Sequence, residues 1–184
     1  MTTPSGTSKG ACDTVWKKLI LAGVFLGVVL GSTGAGTKAA ESAGSLGGYV
    51  LQSLEDGAPL DTSSMKGPTL VVFFTPNCPY CKTELRQLDA LYASYTLKGW
   101  RIMGVAPGWK PRDVYVKALT RALESWEVRN IPFYTDGEPG LFDAFQVRGV
   151  PTTVFFDRGG NAVKTFEGLV PEEEMRSALD ALTP

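Results

Sequence analysis

The chain is 184 residues long, with 18 basic and 19 acidic residues, no histidine and a formal net charge of −1. That length allows one domain plus an extension, and a near-balanced charge with no basic face argues against nucleic acid as a partner. The lack of histidine removes Ser-His and Cys-His hydrolase mechanisms and every His-ligated metal site, and three cysteines cannot build a four-ligand all-Cys zinc site within one chain.

At the N-terminus, Lys9, Lys17 and Lys18 precede an apolar run from Leu19 to Leu30, and small Gly, Ser, Thr and Ala residues follow to Ala40. A basic start, a core of about a dozen apolar residues and a small-residue tail describe a secretory signal. Neither Gly34-Ala35-Gly36 nor Thr37-Lys38-Ala39 is a clean Ala-x-Ala cleavage site. The uncharged stretch from Leu19 to Thr37 reaches the roughly 17 residues that a bilayer span needs. An uncleaved anchor over residues 19–37 is therefore expected ahead of a cleaved signal, and residues 1–36 form this signal or anchor segment. In either form Lys17 and Lys18 stay cytoplasmic and the remainder is exported. Cys12 precedes the apolar run, the wrong side for lipoprotein attachment, and is left without a role. Residues 37–48, rich in Gly, Ser and Ala, read as a flexible linker, and residues 49–184 as the folded domain.

In the domain, Tyr49 to Leu54 and Ala58 to Leu60 are predicted to form a hairpin around the acidic turn Glu55-Asp56-Gly57. Thr69 to Thr75 is an apolar run bounded by Pro68 and Pro76, which predicts a fully buried strand. It leads into Cys78-Pro79-Tyr80-Cys81 and then a segment with Leu85, Leu88, Leu91, Tyr92 and Tyr95 at helical spacing. Trp100 to Ala106 predicts a second buried strand. Pro111 to Val128 carries Tyr115, Leu119, Ala122, Leu123 and Trp126 on one helical face, a stripe that suits core packing better than a cofactor site. A short strand at Pro132 to Tyr134 and a short helix at Leu141 to Phe145 follow. Thr152 to Phe156 and Ala162 to Phe166 predict strands joined by the turn Asp157-Arg158-Gly159-Gly160. The closing helix, Pro171 to Leu182, starts with three glutamates that suit its N-terminal dipole. Strands alternating with helices imply an α/β fold whose central sheet is covered on both faces.

Chemistry concentrates at Cys78 and Cys81. A strand that delivers two cysteines, three apart, onto the first turn of a helix is the layout of thiol–disulfide exchange. Residues at i and i+3 share a helix face, so the two sulfurs can close a small disulfide with little backbone movement. The partial positive charge and unpaired N–H groups of the helix start favour a thiolate on Cys78, and Pro79 fits the first turn, where no N–H partner is needed. The competing reading is an inert structural bridge, but such bridges usually close longer loops, and a four-residue ring is reducible. On this reading Cys78 is the exposed nucleophile and Cys81, deeper in the turn, resolves the mixed disulfide. Metal ligation and a bound cofactor are not expected.

On these residues the chain resembles thioredoxin-fold proteins of the membrane-associated TlpA/ResA type, over about Tyr49 to Leu182. Three features carry the resemblance: the strand–Cys78-Pro79-Tyr80-Cys81–helix unit, the segment Gly149-Val150-Pro151-Thr152-Thr153, and Cys81-Lys82-Thr83-Glu84-Leu85. The resemblance implies a thioredoxin-like fold, a central mixed β-sheet flanked by helices, with an N-terminal β-hairpin and the inserted helix Pro111 to Val128. It implies a cis Pro151 opposite the disulfide, a Val150 backbone that pairs with an extended substrate segment, and Pro79 and Tyr80 as further substrate contacts. It makes Glu84 the active-site acid that takes the Cys81 proton. No Asp or Glu lies in Thr69 to Phe74, where thioredoxins place their buried acid, which leaves Glu84 as the local candidate. Read from the residues alone, the favoured account of Glu84 is an ordinary solvated helix glutamate.

The resemblance further implies an extracytoplasmic disulfide reductase with protein thiol and disulfide substrates, recharged by a membrane electron donor of the CcdA/DsbD kind. Its clients would be apocytochrome c haem-site cysteines or copper-assembly proteins. Asn77 stands where the family usually has Trp, and the Pro79-Tyr80 pair resembles glutaredoxins and some periplasmic isomerases, so a disulfide oxidase or isomerase is the alternative. A redox-sensing or copper-handling binding module is the alternative of another class, weakened because two cysteines without His or a nearby Met make a poor copper site. Thr75, three residues before Cys78, suggests a peroxiredoxin, but the second cysteine and the lack of Pro four before Thr75 argue against it.

Overall fold

The structure, a computed structural model, describes residues 44–183. The expected signal or anchor (1–36), the linker as far as residue 43, and Cys12 lie outside the described residues. Among the described residues no helix is long and apolar enough to cross a membrane.

The N-terminal hairpin forms from β1 (Val50–Ser53) and β2 (Pro59–Asp61), paired antiparallel with Leu51 opposite Leu60. Gly57, at φ +72°, takes the left-handed backbone the turn needs, and Ser53 N–H donates to the Ala58 carbonyl across it at 2.9 Å. A short 3-10 turn over Thr62–Ser64, capped by the Asp61 carboxylate, follows. Next come β3 (Thr69–Phe73), α1 (Pro79–Leu97), β4 (Arg101–Ala106), α2 (Arg112–Ser125), β5 (Phe133–Thr135), α3 (Leu141–Ala144), β6 (Thr152–Phe156), β7 (Ala162–Glu167) and α4 (Glu172–Ala181).

The strands make one seven-stranded sheet in the order β2-β1-β5-β4-β3-β6-β7. β3, β4 and β5 are parallel and the remaining pairings antiparallel, so the sheet is mixed. Right-handed crossovers from β3 to β4 and from β4 to β5 run in the same direction along the sheet, so α1 and α2 cover the same face. That face buries Leu70, Val72 and Phe155 of the sheet against Leu85, Leu88 and Leu91 of α1, Leu119 and Leu123 of α2, and Met175 and Leu179 of α4. Trp100 packs edge-on against Phe155 there, at 5.9 Å between ring centres. The opposite face buries Leu51, Val71, Phe73, Met103, Val105, Val154 and Phe156 of the sheet with Leu141 of α3 and Leu46. Every residue of β3 and β6 is buried, the pattern of strands covered on both sides.

Two boundaries depart from the sequence reading. The helix expected to reach Val128 ends at Ser125. Trp126 N–H closes on the Ala122 carbonyl at 2.9 Å, and Glu127 turns to φ 59°, so both Trp126 and Val128 sink into the core. The end of the expected linker, Gly44 to Gly48, packs on the domain. Leu46 is 2% exposed, its N–H donates to the Gly160 carbonyl at 2.8 Å, Ala162 N–H donates to the Gly44 carbonyl at 2.9 Å, and Ser45 bridges Asn161. This seam lies on the β6–β7 turn. Since Thr69 pairs with Phe156 and Phe73 with Thr152, that turn is at the end of the sheet remote from the Cys78 loop.

Candidate active site

β3 ends at Phe73, and the chain turns through Thr75, Pro76 and Asn77 into the N-terminus of α1. Cys78 is the cap residue, with extended backbone, and Pro79 opens the first turn, where the missing N–H costs nothing. Cys78 and Cys81 are joined by a disulfide, their Cα atoms 5.2 Å apart. The Cys81 N–H points at Cys78 Sγ from 3.0 Å. This donor and the positive end of a 19-residue helix would stabilise a thiolate on Cys78 once the bond is reduced. Exposure divides the pair: Cys78 retains 7% of its surface, Cys81 none.

The loop before β6 closes over the outer sulfur. The Val150 carbonyl oxygen lies 3.4 Å from Cys78 Sγ, and the Val150–Pro151 peptide is cis. Two hydrogen bonds set this loop: the Thr152 hydroxyl donates to the Gly149 carbonyl at 2.8 Å, and Gly168 N–H donates to the Pro151 carbonyl at 2.8 Å. Tyr80 (63% exposed), Leu169 and Trp109 are exposed apolar side chains, and Tyr80 belongs to the cysteine turn itself. A cleft of about 450 Å³ begins at Thr75 and Val150 and runs past Trp109, Phe142 and Arg148 to Asp136.

Glu84 is not a solvated helix residue. It is fully buried, three residues beyond Cys81 and on the same side of α1. Its Oε1 accepts from the Thr153 hydroxyl and its Oε2 from the Val170 N–H at 2.8 Å. Burial pushes its carboxyl above the usual carboxylate range, against the pull of those two donors. A buried carboxyl held by two donors can serve as a proton acceptor or donor on this side of α1.

The residues read from sequence, Cys78, Pro79, Tyr80, Cys81, Glu84, Val150 and Pro151, thus gather at one end of the sheet. Thr153 and the Val170 amide were not singled out, because their importance lies in contacts to Glu84 from 69 and 86 residues away. Asp136 also escaped notice. It is 9% exposed in the floor of the cleft, where its carboxylate accepts from Gly137, Leu141 and Phe142 N–H groups and so holds the start of α3. Burial raises its pKa and those three donors oppose the rise. Its placement five residues before Leu141, among glycines and a proline, is the local signal for a loop held by a side chain. Among the described residues no group of three or more Cys, Asp or Glu side chains is arranged to hold a metal ion.

Residues 61–183 match the family model described as a thioredoxin-like domain. The chain is 25% identical over 137 residues to the thiol-disulfide oxidoreductase ResA of Halalkalibacterium halodurans, covering 74% of each chain. It is likewise 25% identical over 137 residues to ResA of Bacillus subtilis, covering 74% of this chain and 73% of that protein. Among solved structures, it is similar to a secreted Mycobacterium tuberculosis disulfide oxidoreductase homologous to E. coli DsbE, at 23% identity and a TM-score of 0.60, covering 73% of this chain and 96% of the other.

Proposed function

The chain belongs to the thioredoxin-like domain family and is a thiol–disulfide oxidoreductase, and on that premise we propose that it acts outside the cytoplasm as a reductase of disulfides in exported proteins. The observation that carries this reading is the graded burial of the site: Cys78 with a small exposed surface, Cys81 sealed beneath it, and a buried carboxyl three residues further along α1.

The steps follow from that grading. Reduced Cys78 attacks one sulfur of a client disulfide as the thiolate. A Cys78–client bond forms, and the other client sulfur leaves as a thiolate and takes up a proton. Glu84 accepts the Cys81 proton. The Cys81 thiolate then bonds to Cys78 Sγ, the Cys78–client bond breaks, and the second client sulfur leaves and is protonated. The client is reduced by two electrons and the enzyme pair is oxidised by two. A membrane dithiol donor of the CcdA/DsbD kind returns those electrons. The Val150 backbone pairs with the extended client segment, while Pro79, Tyr80 and Pro151 contact it. Apocytochrome c haem-site cysteines and copper-assembly proteins are the proposed clients.

Glu84 also bears on direction. A carboxylate beside a dithiol disfavours thiolates, which stabilises the disulfide relative to the reduced form and makes the pair a better reductant. The reduction potential of the Cys78–Cys81 couple tests this directly. A value near about −270 mV is expected, and one near about −120 mV would identify an oxidant instead.

Lys17 and Lys18 before the apolar stretch support export, with residues 19–37 as the membrane anchor. A reporter active only outside the cytoplasm, fused after Pro184, is expected to be active. An inactive but stable fusion would overturn the extracytoplasmic placement.

A further inference from the structure

Thr153 is the second residue of β6, opposite Val72 of β3 and Phe166 of β7. It has no exposed surface, like the Glu84 carboxyl to which its hydroxyl donates. A valine would fill the same space without the cost of burying a hydroxyl, and every neighbour in the strand is consistent with one. The polar atom therefore needs an account beyond packing. The second donor to Glu84, the Val170 N–H, comes from the segment leading into α4. Two donors from two separate elements, each on its own oxygen, fix the plane of a carboxyl carried by a third element.

We propose that Thr153 is the positioning residue for the resolving step: its hydroxyl holds the Glu84 carboxylate in the orientation from which it takes the Cys81 proton, and keeps hold of it after the proton arrives. This rests on the reading of Glu84 as proton acceptor given above.

The two donors are not equivalent. A backbone N–H can only donate, so the Val170 contact serves one oxygen in either state. A hydroxyl donates and accepts. While Glu84 is ionised, Thr153 donates to Oε1. When Oε1 receives the proton from Cys81 Sγ, the carboxyl O–H can donate to Thr153 Oγ1 and the contact persists with its polarity reversed. Thr153 is thus the partner able to accommodate both protonation states of the step in which Cys81 bonds to Cys78 and the Cys78–client bond breaks. Among the described residues no charged side chain competes for this role. Glu84's protonation is governed by burial, Thr153 and Val170. The elements packed around it turn apolar groups inward, Phe155 from β6, Met175 and Leu179 from α4, and Leu85 and Leu88 from α1, and the titratable side chains of that cluster are Cys78, Cys81 and the phenols Tyr92, Tyr95 and Tyr115.

The test uses the full-length chain, reduced, in single turnovers against a disulfide-closed peptide. Formation of the mixed disulfide and its resolution are timed separately across pH. Thr153→Val should form the mixed disulfide at the wild-type rate and resolve it roughly tenfold more slowly at neutral pH, the size expected for losing a hydrogen bond to a charged group. Because that bond favours the ionised carboxyl, its loss should also move the rising limb of the resolving-rate profile to higher pH. Thr153→Ser should restore rate and profile. Glu84→Gln with Thr153→Val should resolve no more slowly than Glu84→Gln alone. A wild-type rate and profile in Thr153→Val, beside a slow Glu84→Gln, would overturn the role of Thr153 and leave that of Glu84 standing. A further tenfold loss in the double variant would overturn it too, since Thr153 would then act by another route. If Glu84→Gln itself resolves normally, the reading of Glu84 fails first and takes this one with it. Should Thr153→Val not fold, Thr153→Ala removes the same hydroxyl and is judged by the same outcomes.

Discussion

Cys78→Ser is expected to abolish disulfide reduction, whereas Cys81→Ser should still attack and then accumulate a mixed disulfide with its substrate. The asymmetry follows from position. Cys78 caps α1, keeps some surface, and receives the Cys81 N–H at its sulfur. A thiolate there is both reachable and stabilised. Cys81 has no exposed surface, so a bulky protein disulfide cannot reach it, but Cys78 Sγ in a mixed disulfide can. Mass spectrometry after incubation with a disulfide peptide reads both outcomes: a stable adduct on Cys81→Ser and none on Cys78→Ser. Adducts on Cys78→Ser, carried by Cys81, would reverse the assignment.

The second large effect is expected at Glu84, and it has opposite signs for rate and stability. Glu84→Gln should slow the resolving step by about a hundredfold, the lower range for loss of a positioned general base. The amide keeps the shape and both contacts, accepting from Val170 N–H and donating to Thr153, so the fold should hold. Stability should rise at neutral pH. A carboxyl whose pKa is raised by burial binds its proton more tightly folded than unfolded. Its contribution is therefore most favourable below its unfolded pKa, and is lost as pH climbs toward the folded one. Glutamine carries no such penalty. Thermal melts should show the variant ahead at pH 7, with the gap closing in acid. The Cys78 thiolate should titrate at lower pH once the neighbouring charge is gone. An unchanged resolving rate together with an unchanged melting curve would leave Glu84 without a role.

What the sequence reveals and withholds here follows the range of each interaction. β3 is an almost wholly apolar run, β6 is β-branched and aromatic throughout, and the 157–160 turn between β6 and β7 is Gly-rich, so local pattern suffices to find them. The face of α1 formed by Leu85, Leu88, Leu91 and Tyr95 is legible from spacing alone. The pairing of β1 with β5, which extends the sheet by the hairpin, joins Gln52 to Thr135 and leaves no trace in either segment. Helix α2 ends early because Trp126 and Val128 must both be buried, a tertiary demand that helical periodicity cannot express. The cysteines announce themselves by type and interval. Glu84 does not, since a glutamate on a helix is ordinarily solvated, and only the distant Thr153 and Val170 turn it into a buried, held acid. The cis peptide before Pro151 is likewise a property of the assembled loop, not of the Val-Pro pair.

The seam between Gly44–Leu46 and the β6–β7 turn bears on force. Tension arriving along the chain from its N-terminal side meets this seam before β3 and the α1 turn that carries the cysteines. Its backbone bonds, Leu46 to Gly160 and Ala162 to Gly44, are loaded in sequence, and Leu46 has to be drawn out of its pocket before β1 feels the pull. The seam is therefore the first contact that such a pull loads, and it lies at the pole of the sheet away from Cys78.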